Sequence, residues 1–123
     1  MVKKTTKKIS NDAKDFAILA GKIAETTHCS DIVVLDLRGK SPATDFFVIA
    51  TGTSSRQLRT VADEISEQGK AMGFAKFGTA GYEQGQWILI DFVDVVVHLF
   101  DEKYRDYYDL ELLWGDAKKL TIE

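Results

Sequence analysis

The sequence has one cysteine, one proline and no long apolar run among its 123 residues. The single thiol, Cys29, excludes an internal disulfide and any zinc site that needs several cysteines. Every apolar stretch is far shorter than the roughly 20 residues of a membrane-spanning helix. The lysine-rich N-terminus is not followed by the apolar segment of a secretory signal. We therefore expect a soluble, cytoplasmic protein that makes no contact with a membrane.

The composition is typical of an ordinary globular protein. Its residues are 45% hydrophobic and 28% charged, which argues against disorder of the whole chain. A length of 123 residues corresponds to one domain whose core is large enough to need no stabilising disulfide or metal.

Charge is distributed unevenly along the chain. Residues 1–30 carry a net charge of +3, residues 31–81 are neutral, and residues 82–116 carry nine acidic and two basic residues, a net −7. An acidic segment repels the phosphates of nucleic acids and attracts basic surfaces. The C-terminal third therefore indicates either a basic partner or a solvated acidic face without a partner.

Apolar spacing predicts a single domain at residues 11–117, between a flexible basic tail at 1–10 and a C-terminal tail at 118–123. The predicted elements, in order, are a helix from Asn11 or Asp12 to about His28, strands at 32–37 and 46–51, a helix from Ser54 to about Gly73, a weak strand within 76–86, strands at 87–92 and 95–100, and a short helix from Asp101 with an irregular end near Trp114.

Adjacent strands in this order predict an α+β fold. Only Val93 and Asp94 separate the last two strands, so these strands form a hairpin. Neighbouring strands joined by short connections pair antiparallel, and the helices must cover the sheet. We expect an α/β sandwich with a mixed sheet of roughly five strands.

The segment Gly52–Ser55 lies between a strand and a helix N-terminus, where backbone N–H groups favour anions. It lacks the Gly-Lys-Ser/Thr of a P-loop, so a simple helix cap is the alternative interpretation. Nucleotidyltransferases also need two neighbouring carboxylates for magnesium. Asp91 and Asp94 span a hairpin turn and cannot both project from one strand face. A small nucleotide-binding or nucleotidyltransferase enzyme is kept as the alternative function.

Histidine and cysteine provide no recognisable catalytic pattern. His98 shares a strand face with Val96 and Phe100, which favours a packed or hydrogen-bonded side chain. A pair of Cys29 with a histidine would require contacts that spacing does not show. The sequence therefore predicts no catalytic residue, no cofactor and no metal ligand.

The first strand of the hairpin has two different faces. Ile88, Ile90 and Phe92 form an apolar face that belongs to the core. The opposite face carries Trp87, Leu89 and Asp91, and we expect it to reach solvent because a carboxylate is rarely buried without a partner. Whether Trp87 contacts a partner or completes the core stays open at this point.

Three segments together resemble a known family. They are DFFVIATGTSSR at 45–56, WILIDFVDVVVH at 87–98 and YDLELLWGDA at 108–117. In this order and spacing the chain resembles the ribosomal silencing factor family, RsfS or Iojap-like, over about residues 12–117. It departs from the family at Val93, where many relatives carry glycine.

The resemblance implies a nucleotidyltransferase-like fold without the magnesium carboxylates, and a protein that is not an enzyme. It implies binding to ribosomal protein L-fourteen on the large ribosomal subunit, a block of subunit joining, and repression of translation when nutrients are scarce. Contact with ribosomal RNA through the basic tail and a homodimer in the free state stay open. The partner-binding residues carried over are Trp87, Asp91, Asp94, Tyr108 and Glu111.

Overall fold

The computed structural model describes the backbone of residues 2–107 and 117–122, and the side chains of residues 12–105 and 117–122. The elements along the chain are α1 (Val2–Thr26), β1 (Ser30–Asp36), β2 (Phe46–Gly52), α2 (Ser55–Ala71), β3 (Gly78–Ala80), β4 (Trp87–Asp91), β5 (Val95–Asp101), α3 (Glu102–Tyr107) and β6 (Lys118–Lys119).

The strands form one mixed sheet in the order β3-β4-β5-β2-β1-β6. Strands β2 and β5 run parallel through the centre, and the other neighbouring pairs run antiparallel. The predicted α+β class, mixed sheet and β4–β5 hairpin are therefore confirmed. The sheet has six strands where roughly five were expected.

Helices α1 and α2 cover one face of the sheet, and their apolar residues fall at the predicted helical spacing. Phe16 of α1 stacks on Phe74 at 5.0 Å between ring centroids and meets Phe92 edge-on at 4.8 Å. Gly69 of α2 allows this contact, because a Cβ there would lie 2.8 Å from the Phe16 ring. The fully buried side chains of the two helices include Ala13, Phe16, Ala17, Ala20, Ala24, Leu58, Val61 and Ile65.

A second, smaller apolar cluster lies on the opposite side of the sheet, which we call the outer face. Its buried members are Leu35, Leu37, Ile49, Phe100 and Ala117. Helix α3 follows β5 directly and packs on this cluster through Tyr104. The central strands are thus covered on both sides, which explains their nearly continuous apolar sequences.

The two ends of the predicted domain differ from expectation. Helix α1 begins at Val2, so a helix start at Asn11 or Asp12 is wrong; residues 2–10 contain no proline or glycine that would stop a helix. That residues 1–10 are separable from the domain stays a prediction. Residues 118–122, expected in a tail, contain β6, which pairs with β1. Leu120 donates its N–H to the Val34 carbonyl at 2.8 Å, and its side chain packs on the main core.

The turn between β4 and β5 is held in an uncommon conformation. Val93 has φ +74°, and the N–H of Asp94 donates to the Phe92 carbonyl at 2.9 Å. A positive φ with this bond is the pattern of a γ-turn whose central residue is strained. The N–H of Val93 donates to Asp91 Oδ1 at 2.7 Å and fixes the turn from one side.

We expect Val93→Gly to raise the free energy of unfolding by about 0.5–1 kcal/mol. Glycine removes the cost of a positive φ, and this gain exceeds the extra chain entropy that glycine loses on folding. Val93 is 52% exposed, so little packing is lost. Urea unfolding of both proteins measures the difference. Val93→Ala is the control, since alanine also resists positive φ. A Val93→Gly protein no more stable than the Val93→Ala protein would contradict the strain at this turn.

Candidate functional site

The predicted site residue Trp87 lies on the outer face of the sheet. Burial alternates along β4: Ile88 and Ile90 are fully buried, whereas Trp87, Leu89 and Asp91 are half-buried. This confirms the predicted division of the strand into a core face and a partly exposed face.

Strand register shows which side chains accompany Trp87. Across the β4–β5 pair, Trp87 lies opposite Phe100 and Leu89 lies opposite His98. The next strand, β2, places Phe47 beside β5 on the same face. The half-buried side chains of this region are Phe47, Trp87, Leu89, Asp91 and Val96. Alternation along β4 predicts Leu89 on this face, whereas Phe47 and Val96 were not predicted beside Trp87, because only the order of strands in space reveals that they adjoin it.

The contacts of the Trp87 indole ring include Phe100 and His98. It stacks on Phe100 with 5.1 Å between centroids and an interplanar angle of 25°. Its Nε1–H donates a hydrogen bond of 3.4 Å to Nδ1 of His98. His98 in turn packs against Phe47 at 4.8 Å between centroids. The four rings form a continuous aromatic group on the outer face.

His98 is 5% exposed, and burial lowers its pKa from 6.5 to about 4. The imidazole is therefore neutral at neutral pH. The prediction of a packed, hydrogen-bonded histidine is confirmed. Cys29 packs against the main core on the other side of the sheet, so these two side chains do not meet. Burial also raises the pKa of Cys29 to about 11, which disfavours a reactive thiolate.

Asp91 and Asp94 lie at the hairpin end of the sheet. Asp91 Oδ1 accepts the N–H of Val93, so this carboxylate also has a structural function in the turn. Four residues of strand place Asp91 roughly 13 Å along β4 from Trp87. The pKa of Asp94 is raised by burial and, secondarily, by the charge of Asp45. Asp91 shares the outer face with Trp87 but does not lie beside the indole. Asp94 instead lines a cavity with Asp12 and Phe74 on the side of the sheet that the helices cover.

The other two predicted contacts, Tyr108 and Glu111, lie outside the described residues. Among the residues that the structure describes, no group of three or more histidine, cysteine or acidic side chains is arranged to hold a metal ion. The same part of the chain contains no helix with the length and apolar character needed to cross a bilayer.

The N-terminus of α2, the predicted alternative site, is satisfied by its own side chains. Ser54 Oγ accepts the N–H of Gln57 at 3.1 Å, and Gln57 Oε1 accepts the N–H of Thr53 at 2.7 Å. This pair is a variant of the capping box in which the glutamine reaches Thr53, the residue before the N-cap. A cavity of about 150 Å³ beside Thr53 is also lined by Asp101, Glu102 and Lys103, and its net negative charge disfavours a phosphate. The geometry favours the helix-cap interpretation of Gly52–Ser55.

Comparison with known protein families identifies the one to which this chain is related. The family model described as "Ribosomal silencing factor during starvation" matches residues 10–123. The chain belongs to the ribosomal silencing factor family. The predicted resemblance is confirmed, and the matched range contains all three segments on which it was based.

Individual relatives agree with this assignment. The chain is 39% identical over 105 residues to the ribosomal silencing factor RsfS of Halalkalibacterium halodurans, covering 85% of this chain and 90% of the relative. It is 44% identical over 86 residues to RsfS of Haemophilus influenzae, covering 70% and 84%. A crystal structure of a Chromobacterium violaceum protein superposes with a TM-score of 0.78 at 35% identity, covering 88% and 89%. The names of these RsfS relatives describe a regulatory role, the silencing of ribosomes.

The burial of His98 predicts a loss of stability in acid. The unfolded chain binds a proton on this imidazole near pH 6.5, whereas the folded protein resists it until about pH 4, so protonation favours unfolding as the pH falls between these values. We expect the free energy of unfolding to lose about 3 kcal/mol from this group between pH 7 and pH 4.

The measurement is urea unfolding across this pH range for the wild type and His98→Phe. Other titrating groups affect both proteins alike, so the difference between the two curves isolates His98. The difference in free energy of unfolding between the two proteins should be constant above pH 7. A difference that is also constant down to pH 4 would contradict the lowered pKa of His98.

Proposed function

We propose that this chain binds the large ribosomal subunit through ribosomal protein L-fourteen and blocks joining of the small subunit. In the cytoplasm this would repress translation when nutrients are scarce. The proposal extends the family assignment to a partner and a mechanism. The observation that carries it is the half-buried Trp87, whose indole is fixed by Phe100 and His98 on the outer face.

Anchor residues of this kind dominate small interfaces. Tryptophan provides a large contact area with a polar edge, and it is enriched among the few residues that supply most of the binding energy. An anchor already held in place by packing loses little side-chain entropy on binding. Trp87 meets both conditions, because stacking on Phe100 and the bond to His98 restrict its ring while one part stays accessible.

Charge supports a basic partner. Residues 82–116 carry a net charge of −7, and ribosomal proteins are commonly basic. Asp91 lies at the hairpin end of the outer face, and Asp94 lies at the same end of the sheet but on its helix-covered side. Both charges would attract a positively charged surface to this end of the protein. Tyr108 and Glu111 belong to the proposal through the family resemblance alone.

The mechanism that we propose is steric exclusion. A folded domain seated on the joining face of the large subunit occupies space that the small subunit needs. Such a block requires affinity and correct placement, and it requires no chemical step. The geometry does not favour the nucleotide-binding alternative, because Ser54 caps the α2 N-terminus and two acids outnumber Lys103 in the lining of the adjacent cavity.

The protein should co-sediment with isolated large subunits, and Trp87→Ala should weaken that binding by at least about 2 kcal/mol, roughly thirtyfold. The melting temperature should change less, since Trp87 is not part of the main core. Tyr82→Ala is the matched control: it also truncates a half-buried aromatic residue, but one that packs on the main core. Wild-type protein that stays at the top of the gradient at low salt would overturn the proposal.

Neutralising the hairpin acids should slow association without unfolding the turn. Asp91→Asn retains an oxygen for the N–H of Val93, and Asp94→Asn removes a charge that its burial already disfavours. We expect the double variant to associate more slowly with large subunits and to show a weaker dependence on salt. The matched control is the double variant Glu64→Gln with Glu67→Gln, which also removes two charges, at exposed acids on α2. If both double variants slow association equally, net charge governs the rate and the position of the hairpin acids does not.

A further inference from the structure

The hydrogen bond between Trp87 and His98 gives one ring a defined orientation relative to the other. The indole Nε1–H donates to Nδ1 of His98 at 3.4 Å, and the two ring planes differ by 29° at a centroid distance of 6.3 Å. The stacking of the indole on Phe100 is a contact without polar direction. The hydrogen bond to His98 is directional, and it therefore favours one rotation of the indole.

We propose that His98 is a positioning residue for partner binding: its neutral imidazole accepts the indole N–H and holds Trp87 in the orientation that the partner contacts. This inference rests on the proposed function, because it takes Trp87 as the anchor. It assigns to His98 no contact with the partner, since His98 is 95% buried beneath its neighbours.

The second nitrogen of His98 argues against a purely stabilising role for the histidine. A neutral imidazole that accepts a bond at Nδ1 carries its proton on Nε2. Nε2 is buried, and no group in the described parts of the chain pairs with it. A buried donor without a partner is destabilising, and a phenyl ring of similar shape would avoid this cost. The acceptor at Nδ1 is the property that phenylalanine lacks.

The surroundings keep the acceptor available. The ring contacts are Phe47, Trp87 and Phe100, and Leu89 and Ile49 flank it on the neighbouring strands. None of these side chains is charged, and burial holds the pKa of His98 near 4. Nδ1 therefore accepts a hydrogen bond throughout the physiological pH range, and the orientation of Trp87 does not depend on cellular acidity.

Two substitutions separate positioning from packing. His98→Phe retains an aromatic ring but removes the acceptor. His98→Asn places Oδ1 close to the position of Nδ1 and so retains the acceptor, but it leaves a smaller, polar side chain in an apolar site. Stability and binding should therefore change in opposite senses. His98→Phe should melt at the wild-type temperature or above at pH 7, and His98→Asn should melt below it.

Binding to isolated large subunits should follow the acceptor. We expect His98→Phe to bind about tenfold more weakly, which corresponds to one lost hydrogen bond and a freer anchor, and His98→Asn to stay within about threefold of the wild type below its melting temperature. A purely structural residue would give the reverse order. Weaker binding by His98→Asn than by His98→Phe, or equal binding by all three proteins, would overturn the proposal.

A spectroscopic measurement on the free protein keeps this test independent of the ribosome. The chain has two tryptophans, and Trp87→Phe identifies which indole N–H resonance belongs to Trp87. Solvent exchange of that N–H should accelerate in His98→Phe and remain near the wild-type rate in His98→Asn. If the Trp87 indole N–H of His98→Phe exchanged with solvent at the wild-type rate, the positioning role would be overturned. Wild-type protein that fails to sediment with large subunits while this exchange pattern holds would overturn the proposed function instead.

Discussion

The parallel pairing of β2 with β5 is the contact on which the rest of the sheet depends. It joins seven consecutive residue pairs and brings the C-terminal hairpin against the N-terminal β1–β2 pair, two units that are distant in sequence. Because both strands then lie inside the sheet, their side chains on either face must be covered. Helices α1 and α2 cover one face. On the other face, Phe47, His98 and Phe100 pack together, and Trp87 at the neighbouring strand extends this group toward solvent.

The outer face therefore has two functions that share residues. Its buried part closes the sheet, and its half-buried part presents Trp87, Leu89 and Val96 at the surface. Two carboxylates that could be taken for catalytic or metal-binding groups instead accept hydrogen bonds from the backbone. Asp91 accepts the N–H of Val93, and Asp101 accepts the N–H of Tyr104 at the start of α3. The unit of β2, the Gly52–Ser55 turn and α2 is of a kind found in nucleotide enzymes. In this protein Asp91 and Asp101 hold a turn and a helix start.

Local patterns predicted the local elements well. The alternation of Ile88 and Ile90 with Trp87 and Asp91 is a property of one strand, so the sequence alone separates the core face from the exposed face. The capping box of Ser54 and Gln57 is likewise local. By contrast, β6 pairs through only two residues and leaves no periodic pattern. The contact of Trp87 with His98 depends on the register between strands. The position of Phe47 beside this group depends on a parallel pairing with Val96, 49 residues away in sequence. Neither follows from spacing along one element.

Strand β6 has a consequence beyond the two residue pairs that it forms. It lies at the edge of the sheet, where Lys118 and Lys119 cover Asp36 and Leu35 of β1. An uncovered β1 would present free backbone donors and acceptors next to a run of β-branched residues, which is a template for pairing with another chain. Two exposed lysines resist such pairing, because like charges meet when two copies approach edge to edge. The C-terminal residues thus cover part of the β1 edge. A chain shortened before Lys118 would lose few contacts, but it would expose backbone groups of β1 that can pair with another chain.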